Sequence, residues 1–149
     1  MQRLIWTLRV KIPSVHSECV RVIEIKSNAS FLQLHEAIQD AVSFDNDHLF
    51  DFFVGRHSGN RAYSIGGTPS YSNFNPVKIY RGIHLSSVWP LPTGMKLYYL
   101  FDFGDNWVFQ INKTRHKDKI EQAGVVYPRV IEAKGKNPEQ YPDWEYEEE

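Results

Sequence analysis

The run LYYLFDFGDNWVFQI, Leu97 to Ile111, constrains the fold more than any other part of the chain. Two aromatic-rich segments alternate around a Phe-Gly-Asp-Asn turn, which is the signature of a β-hairpin. Leu97, Tyr99 and Phe101 fall on one face, with Tyr98, Leu100 and Asp102 on the other; beyond the turn, Trp107, Phe109 and Ile111 alternate with Val108 and Gln110. A two-residue loop at Gly104-Asp105 would suit a primed turn and would oppose Phe101 with Val108. A three-residue loop, Phe103 to Asp105, instead opposes Phe101 with Trp107 and Tyr99 with Phe109. The second register is favoured because it gathers the large apolar side chains on one face. Hydrophobes on both faces predict a hairpin interior to a sheet and covered on at least part of each side.

The flanking sequence supplies the rest of that sheet. Leu4, Trp6, Leu8, Val10 and Ile12 share a face against Arg3, Thr7, Arg9 and Lys11, a half-buried strand ended by Pro13. Cys19 to Lys26 is β-branched enough to be its partner, and its hydrophobic phase changes midway, so a bulge is expected. Ser30 with Gln33 three residues on reads as a capping box, opening a helix whose Phe31, Leu34, Ile38, Ala41 and Val42 form one stripe. That stripe must lie on the sheet. His48 to Val54 reads as a third strand. Gly55 to Pro76, rich in Gly, Ser, Asn and Tyr without a period, reads as a long mobile loop. A short strand is expected around Val77 to Tyr80, a brief helical or irregular piece at Leu85 to Trp89, a helical turn at Lys117 to Gly124 and a last strand at Tyr127 to Ala133. This order describes an α+β fold: one domain, a mainly antiparallel sheet and one principal helix on one face.

At 149 residues, with 42% hydrophobic and 14% aromatic content, the chain can bury one core. The domain is expected over residues 1–138, with 139–149 as an acidic tail. The single Cys19 excludes an intrachain disulfide and a multi-cysteine zinc site, which fits a reducing cytoplasm. The N-terminal alternation is unlike a signal peptide, and no stretch is long enough to cross a membrane. Five of the acids lie in the last seven residues, and setting them aside leaves 17 basic residues against 13 acidic ones. That excess is far from the basic stripe of a dedicated nucleic-acid binder.

Three stretches then point to a family. LHEAIQDAVSFDNDHLFDF from Leu34, LYYLFDFGDNW from Leu97 and YPRVIEAKG from Tyr127 together resemble the plasmid pRiA4b ORF-3-like family, also labelled as passengers of insertion elements. The resemblance runs from about Leu4 to Pro138 and implies an α+β fold without an established activity. The chain departs from the family pattern in three places. Phe109 stands where relatives carry a histidine, His16-Ser17 where they often have Trp-Arg, and Asn137-Pro138-Glu139-Gln140 where they have Cys-Pro-Pro-Glu-Asp. Chemistry that relied on those groups is not expected here.

No motif names a reaction. Asp102-Phe103-Gly104 lacks the phosphate loop, catalytic aspartate and lysine that a kinase magnesium loop requires, and Asp102 and Asp105 are better read as turn-holding acceptors. Ser58, Ser64 and Ser70 have no nucleophile elbow around them, and the resolvase label lacks a serine among arginines. His35, His48, Asp102 and Asp105 could assemble nitrogen and oxygen ligands for a metal-dependent hydrolase, although no paired-histidine spacing supports it; a histidine pinning helix to sheet explains the same residues. Arg56, Arg61 and Tyr63 in the long loop combine the side chains that dominate protein interfaces. Lys113, Arg115 and Lys117 would serve weak nucleic-acid binding. The favoured expectation is a cytoplasmic, non-catalytic module without a cofactor, binding an unidentified protein partner through the loop and associated with mobile-element genes.

Overall fold

A computed structural model of the chain describes residues 4–12, 18–67, 73–103, 107–115 and 117–139. Among them the elements run β1 (Leu4–Lys11), β2 (Val20–Lys26), α1 (Phe31–Val42), β3 (Phe50–Gly55), β4 (Arg61–Ser64), α2 (Pro76–Arg81), a 3-10 turn (Leu85–Ser87), β5 (Lys96–Phe101), β6 (Trp107–Lys113), β7 (Lys119–Ile120) and β8 (Arg129–Lys134). The strands form one sheet in the order β4-β3-β5-β6-β1-β2-β8, with β7 paired to β1, and every described pairing is antiparallel.

The aromatic hairpin takes the register that collects its large side chains, with Phe101 opposite Trp107 and Tyr99 opposite Phe109. It lies inside the sheet, so each face buries something different. Leu97, Tyr99, Phe101, Phe109 and Ile111 join the main core beneath Phe31, Leu34, Ile38 and Val42 of α1. On the opposite face Tyr98 and Leu100 pack with Phe53. β1 is covered more fully than its alternation predicts: Ile5 and Thr7 are buried along with Trp6 and Leu8.

α1 begins with the expected capping box. Ser30 Oγ accepts from Gln33 N at 3.1 Å, and Gln33 Oε1 accepts from Ser30 N at 2.9 Å, so two of the orphan N–H groups at this end of the chain's main helix are satisfied. The helix closes with Ser43 in the left-handed region, φ 59°.

Several expected elements differ. The Gly55 to Pro76 stretch contains an edge strand, β4, held against β3 by Phe53–Ser64 and Val54–Tyr63 pairs. Val77 to Tyr80 is helical: Pro76 presets φ at the first helical position and Asn75 Oδ1 caps Lys78 N at 3.2 Å, a start signal that outweighs the β-branched residues after it. Lys119 and Ile120 pair with Ile5 and Leu4 as strand β7 and form no helical turn, since Glu24 draws Lys119 onto the sheet. The expected bulge lies opposite Val22 and Ile23, but the extra residue belongs to β8, where Ile131 is skipped in the ladder. Residues 140–149, the acidic stretch, lie outside the described residues.

Candidate functional site

The loop joining α1 to β3 is built on a closed ring of hydrogen bonds, buried at Tyr99 and reaching the surface at Asn46. His35, one turn into α1, is 1% exposed and stacks on Phe50 with ring centroids 3.6 Å apart. Its Nε2 lies 2.6 Å from Asn46 Oδ1 and its Nδ1 2.5 Å from the Tyr99 hydroxyl. Gln39 Nε2 donates to the same hydroxyl at 2.9 Å, and Gln39 Oε1 accepts from Asn46 N at 2.9 Å. One proton arrangement satisfies all four contacts: Nε2–H donates to Asn46, and Tyr99 donates to Nδ1 while accepting from Gln39. Burial holds the His35 pKa down to about 4, only partly offset by the Asn46 bond, so the ring is neutral at neutral pH. Burial likewise raises the Tyr99 phenol.

A second buried set anchors β3 at its β4 side. The Asp51 carboxylate is fully buried and accepts from Tyr80 Oη, from Ser64 Oγ at 3.0 Å and from Phe52 N at 2.9 Å. Burial, and then the neighbouring Asp51 charge, push the Tyr80 phenol well above its ordinary value.

The first ring holds Asn46 in the left-handed region, φ 54°, and the chain that follows opens onto a cleft of about 860 Å³. Asn46 to Phe50 form one wall and Asn73 to Val77 the other. Asn73, at φ 60°, and Asp102, at φ 62°, repeat the left-handed backbone around it; after glycine, Asn and Asp bear this conformation at least cost. His48 Nε2 lies 3.4 Å from Asp102 Oδ2 and 3.5 Å from Asp47 Oδ1. Asp102 N donates to Leu49 O at 2.9 Å, tying the end of β5 to the same loop.

Among the described residues predicted as metal ligands, the structure brings two together and keeps the third apart. His48 and Asp102 are neighbours, but His35 commits both ring nitrogens to Asn46 and Tyr99, and Asp105 lies outside the described residues. Among the described residues no group of three or more His, Cys, Asp or Glu side chains is arranged to hold a metal ion. The cleft's described lining contains no serine, threonine or cysteine nucleophile, and Ser64 is engaged by Asp51.

The predicted contact residues sit on the β3–β4 hairpin. Arg56 is exposed and its guanidinium crowds Gly94, where a Cβ would lie 3.0 Å from Nη1. Arg61 lies over the Phe53 ring at 4.7 Å, and Tyr63 is 44% exposed on the edge strand. Of the predicted phosphate contacts, Lys113 is paired with Asp118 at 3.0 Å and lies over Trp6, while Arg115 and Lys117 are exposed.

Sequence reasoning missed Tyr99, Gln39, Asn46, Asp51 and Tyr80. A usable signal existed for Tyr99: a tyrosine in the core-facing phase of an interior strand needs a partner for its hydroxyl, and His35 is the polar residue beside the helix stripe.

Comparison with known proteins gives the same architecture and no activity. The crystal structure of MM3350 from Methanosarcina mazei Go1, described as a protein of unknown function, superposes with a TM-score of 0.67 over 89% of this chain and 71% of that one, at 23% identity, which establishes likeness of fold. Uncharacterized protein y4hQ of Sinorhizobium fredii strain NGR234 is 30% identical over 136 residues, 88% of this chain. The chain spans 62% of the length of that relative. The family description that matches, over residues 5–147, is plasmid pRiA4b ORF-3-like protein, and the chain belongs to that family.

Proposed function

We propose that the protein is a non-catalytic binding module for another protein, with the Gly55 to Pro76 connection supplying much of the contact. The observation that carries this reading is His35. Among the described residues the imidazole best shielded from water has both nitrogens bonded inside the fold, so it organises a loop and is not poised to transfer protons. The groups left outward on the connection are of the kind that make interfaces. Arg56, Arg61 and Tyr63 lie exposed at its start, and half-buried Phe74 near its end lines the cleft. Recognition through side chains suits this edge better than strand addition. β4 is four residues long, and its ladder skips Ala62, a bulge of the kind that blunts an edge against pairing. The family's plasmid-linked name and the single thiol fit a partner encoded near a mobile element and met in the cytoplasm.

The test is photo-crosslinking from position 63 in the native cell, followed by purification of the captured protein and direct measurement of its affinity. Replacing Arg56, Arg61 and Tyr63 together with Ala should weaken that affinity at least about tenfold, the loss of one or two anchor side chains. An unchanged affinity in the folded triple variant removes the hairpin as the contact.

A further inference from the structure

We propose that the cleft between the α1–β3 loop and the start of α2 docks a basic residue flanked by apolar ones, carried on an extended segment of a partner protein. The proposal rests on the binding-module reading and adds the chemistry of the partner.

Charge comes first. Asp47 lines the cleft, its side chain 46% exposed, and Asp102, its side chain 9% exposed and outside the lining, adds its charge across His48. Among the described lining residues there is no lysine or arginine. An ionised carboxylate accepts several donors, so the exposed Asp47 can meet an incoming cation while keeping its contact with His48. The apolar part is equally specific. Leu49 is 45% exposed and Val77 42% exposed, one on each wall, and Phe74 lines the cleft beside Val77's segment, its ring 6.2 Å from that of Phe103. Polar acceptors beside exposed aliphatic walls match a side chain whose apolar stem carries a cationic head. Arginine fits better than lysine, because its planar fork meets a carboxylate with two donors and stacks on an aromatic ring.

The receiving loop is already fixed. Asn46 is tied through its backbone to Gln39 and through its side chain to His35, so little ordering entropy remains for a ligand to overcome. A free amine would use only the acids, whereas the two opposed apolar walls require neighbours on either side of the cation. That requirement selects a peptide segment over a small cation.

The experiment is an amide-resonance titration of the purified protein with three probes: a capped pentapeptide with arginine between two leucines, the same peptide with glutamate for arginine, and capped arginine alone. The arginine peptide should shift the amides of residues 46–50, 73–75 and 77, and bind at least about five-fold more tightly than either other probe. Asp47→Asn and Leu49→Asp, each checked for a dispersed native spectrum, should each lose about five-fold, while Val130→Asp on β8 should bind as the wild type does. Equal shifts from the arginine and glutamate peptides, equal affinity for capped arginine alone, or no shift in these two segments would overturn the proposal. A partner captured through Tyr63 and indifferent to Asp47→Asn would leave the binding module standing and remove the cleft from it.

Discussion

His35 makes stability depend on pH in a direction that can be worked out from its burial. Above pH 6.5 the ring is neutral both folded and unfolded and contributes no pH dependence. Between the ordinary value of 6.5 and the folded value of about 4, the unfolded chain takes up a proton that the folded chain refuses. The native state therefore loses stability as pH falls through this window, by about 1.4 kcal/mol per pH unit and about 3 kcal/mol in all, and the loss levels off below pH 4. Urea midpoints at pH 7, 5.5 and 4 should fall more steeply in the wild type than in His35→Gln, which has no titrating ring. Parallel curves would show that another group controls the acid limb. The sequence made His35 visible as a ring that pins helix to sheet, and the bond to Tyr99 on β5 does so, but the sequence did not name its partners. Helical periodicity places it beside the apolar stripe, yet nothing local specifies that the hydroxyl facing it is 64 residues away on Tyr99, or that Asn46 turns left-handed to meet its other nitrogen. His48 and Asp102 were legible together because acids and imidazoles beside turns draw attention to themselves; Asp51 was not, since a lone acid inside an aromatic strand reads as an interruption until Tyr80 and Ser64 are seen to close on it.

The elements that local chemistry specifies strongly were legible in advance, and α1 is the clearest. Its capping box was read from Ser30 and Gln33, and Ser30→Ala should cost about 1 kcal/mol, measured as a shift in urea midpoint without a change in slope. Ser30→Asp, which keeps the acceptor, should recover most of that loss; failure to recover it would mean that the cost arises in packing around the buried Ser30 side chain. The aromatic hairpin was legible for a different reason. Its register follows from where the largest side chains must go, and burial enforces that choice over five successive pairs. The short elements were not legible. α2 carries Val77 and Ile79, so β propensity pointed the wrong way, and the helix exists because Asn75-Pro76 starts it and Tyr80 must reach the β3 edge, where its hydroxyl also accepts from Phe52 N and Gly66 N. β7 is two residues long, too short for any periodicity, and is held by a side chain from elsewhere.

At the scale of the whole molecule, the two ends of the sheet differ from its middle. β3, β5, β6 and β1 are paired on both sides and hold the aromatic core, whereas β4 and β8 are bulged edges, with Ala62 and Ile131 left out of their ladders. β8 has every residue exposed, so burial alone does little to keep it in place. Two side chains of β2 do that work. Arg21 donates to the carbonyls of Lys134 and Gly135 and to Asn137 Oδ1, and also reaches Ala41 O at the end of α1, binding the far end of β8 to the helix. Glu24, 1% exposed, accepts from Arg129 Nε at 2.7 Å and from Lys119 Nζ at 2.6 Å, holding the near end of β8 together with β7. Burial works to raise the Glu24 pKa, but the two hydrogen-bonded cations outweigh it and hold the carboxyl below its ordinary value. Glu24→Gln keeps the shape and removes the charge. Both cations are half exposed and can turn to water, so global stability should fall by only about 1 kcal/mol. The local effect should be larger: amide exchange at Val130 and Glu132 should quicken well before that at Phe52 and Tyr99, because β8 would open as a unit of its own while the central strands stay closed. Equal acceleration at all four amides would mean that the edge is part of one cooperative sheet, and that Arg21 and the ladder suffice to hold β8 without the ion pairs.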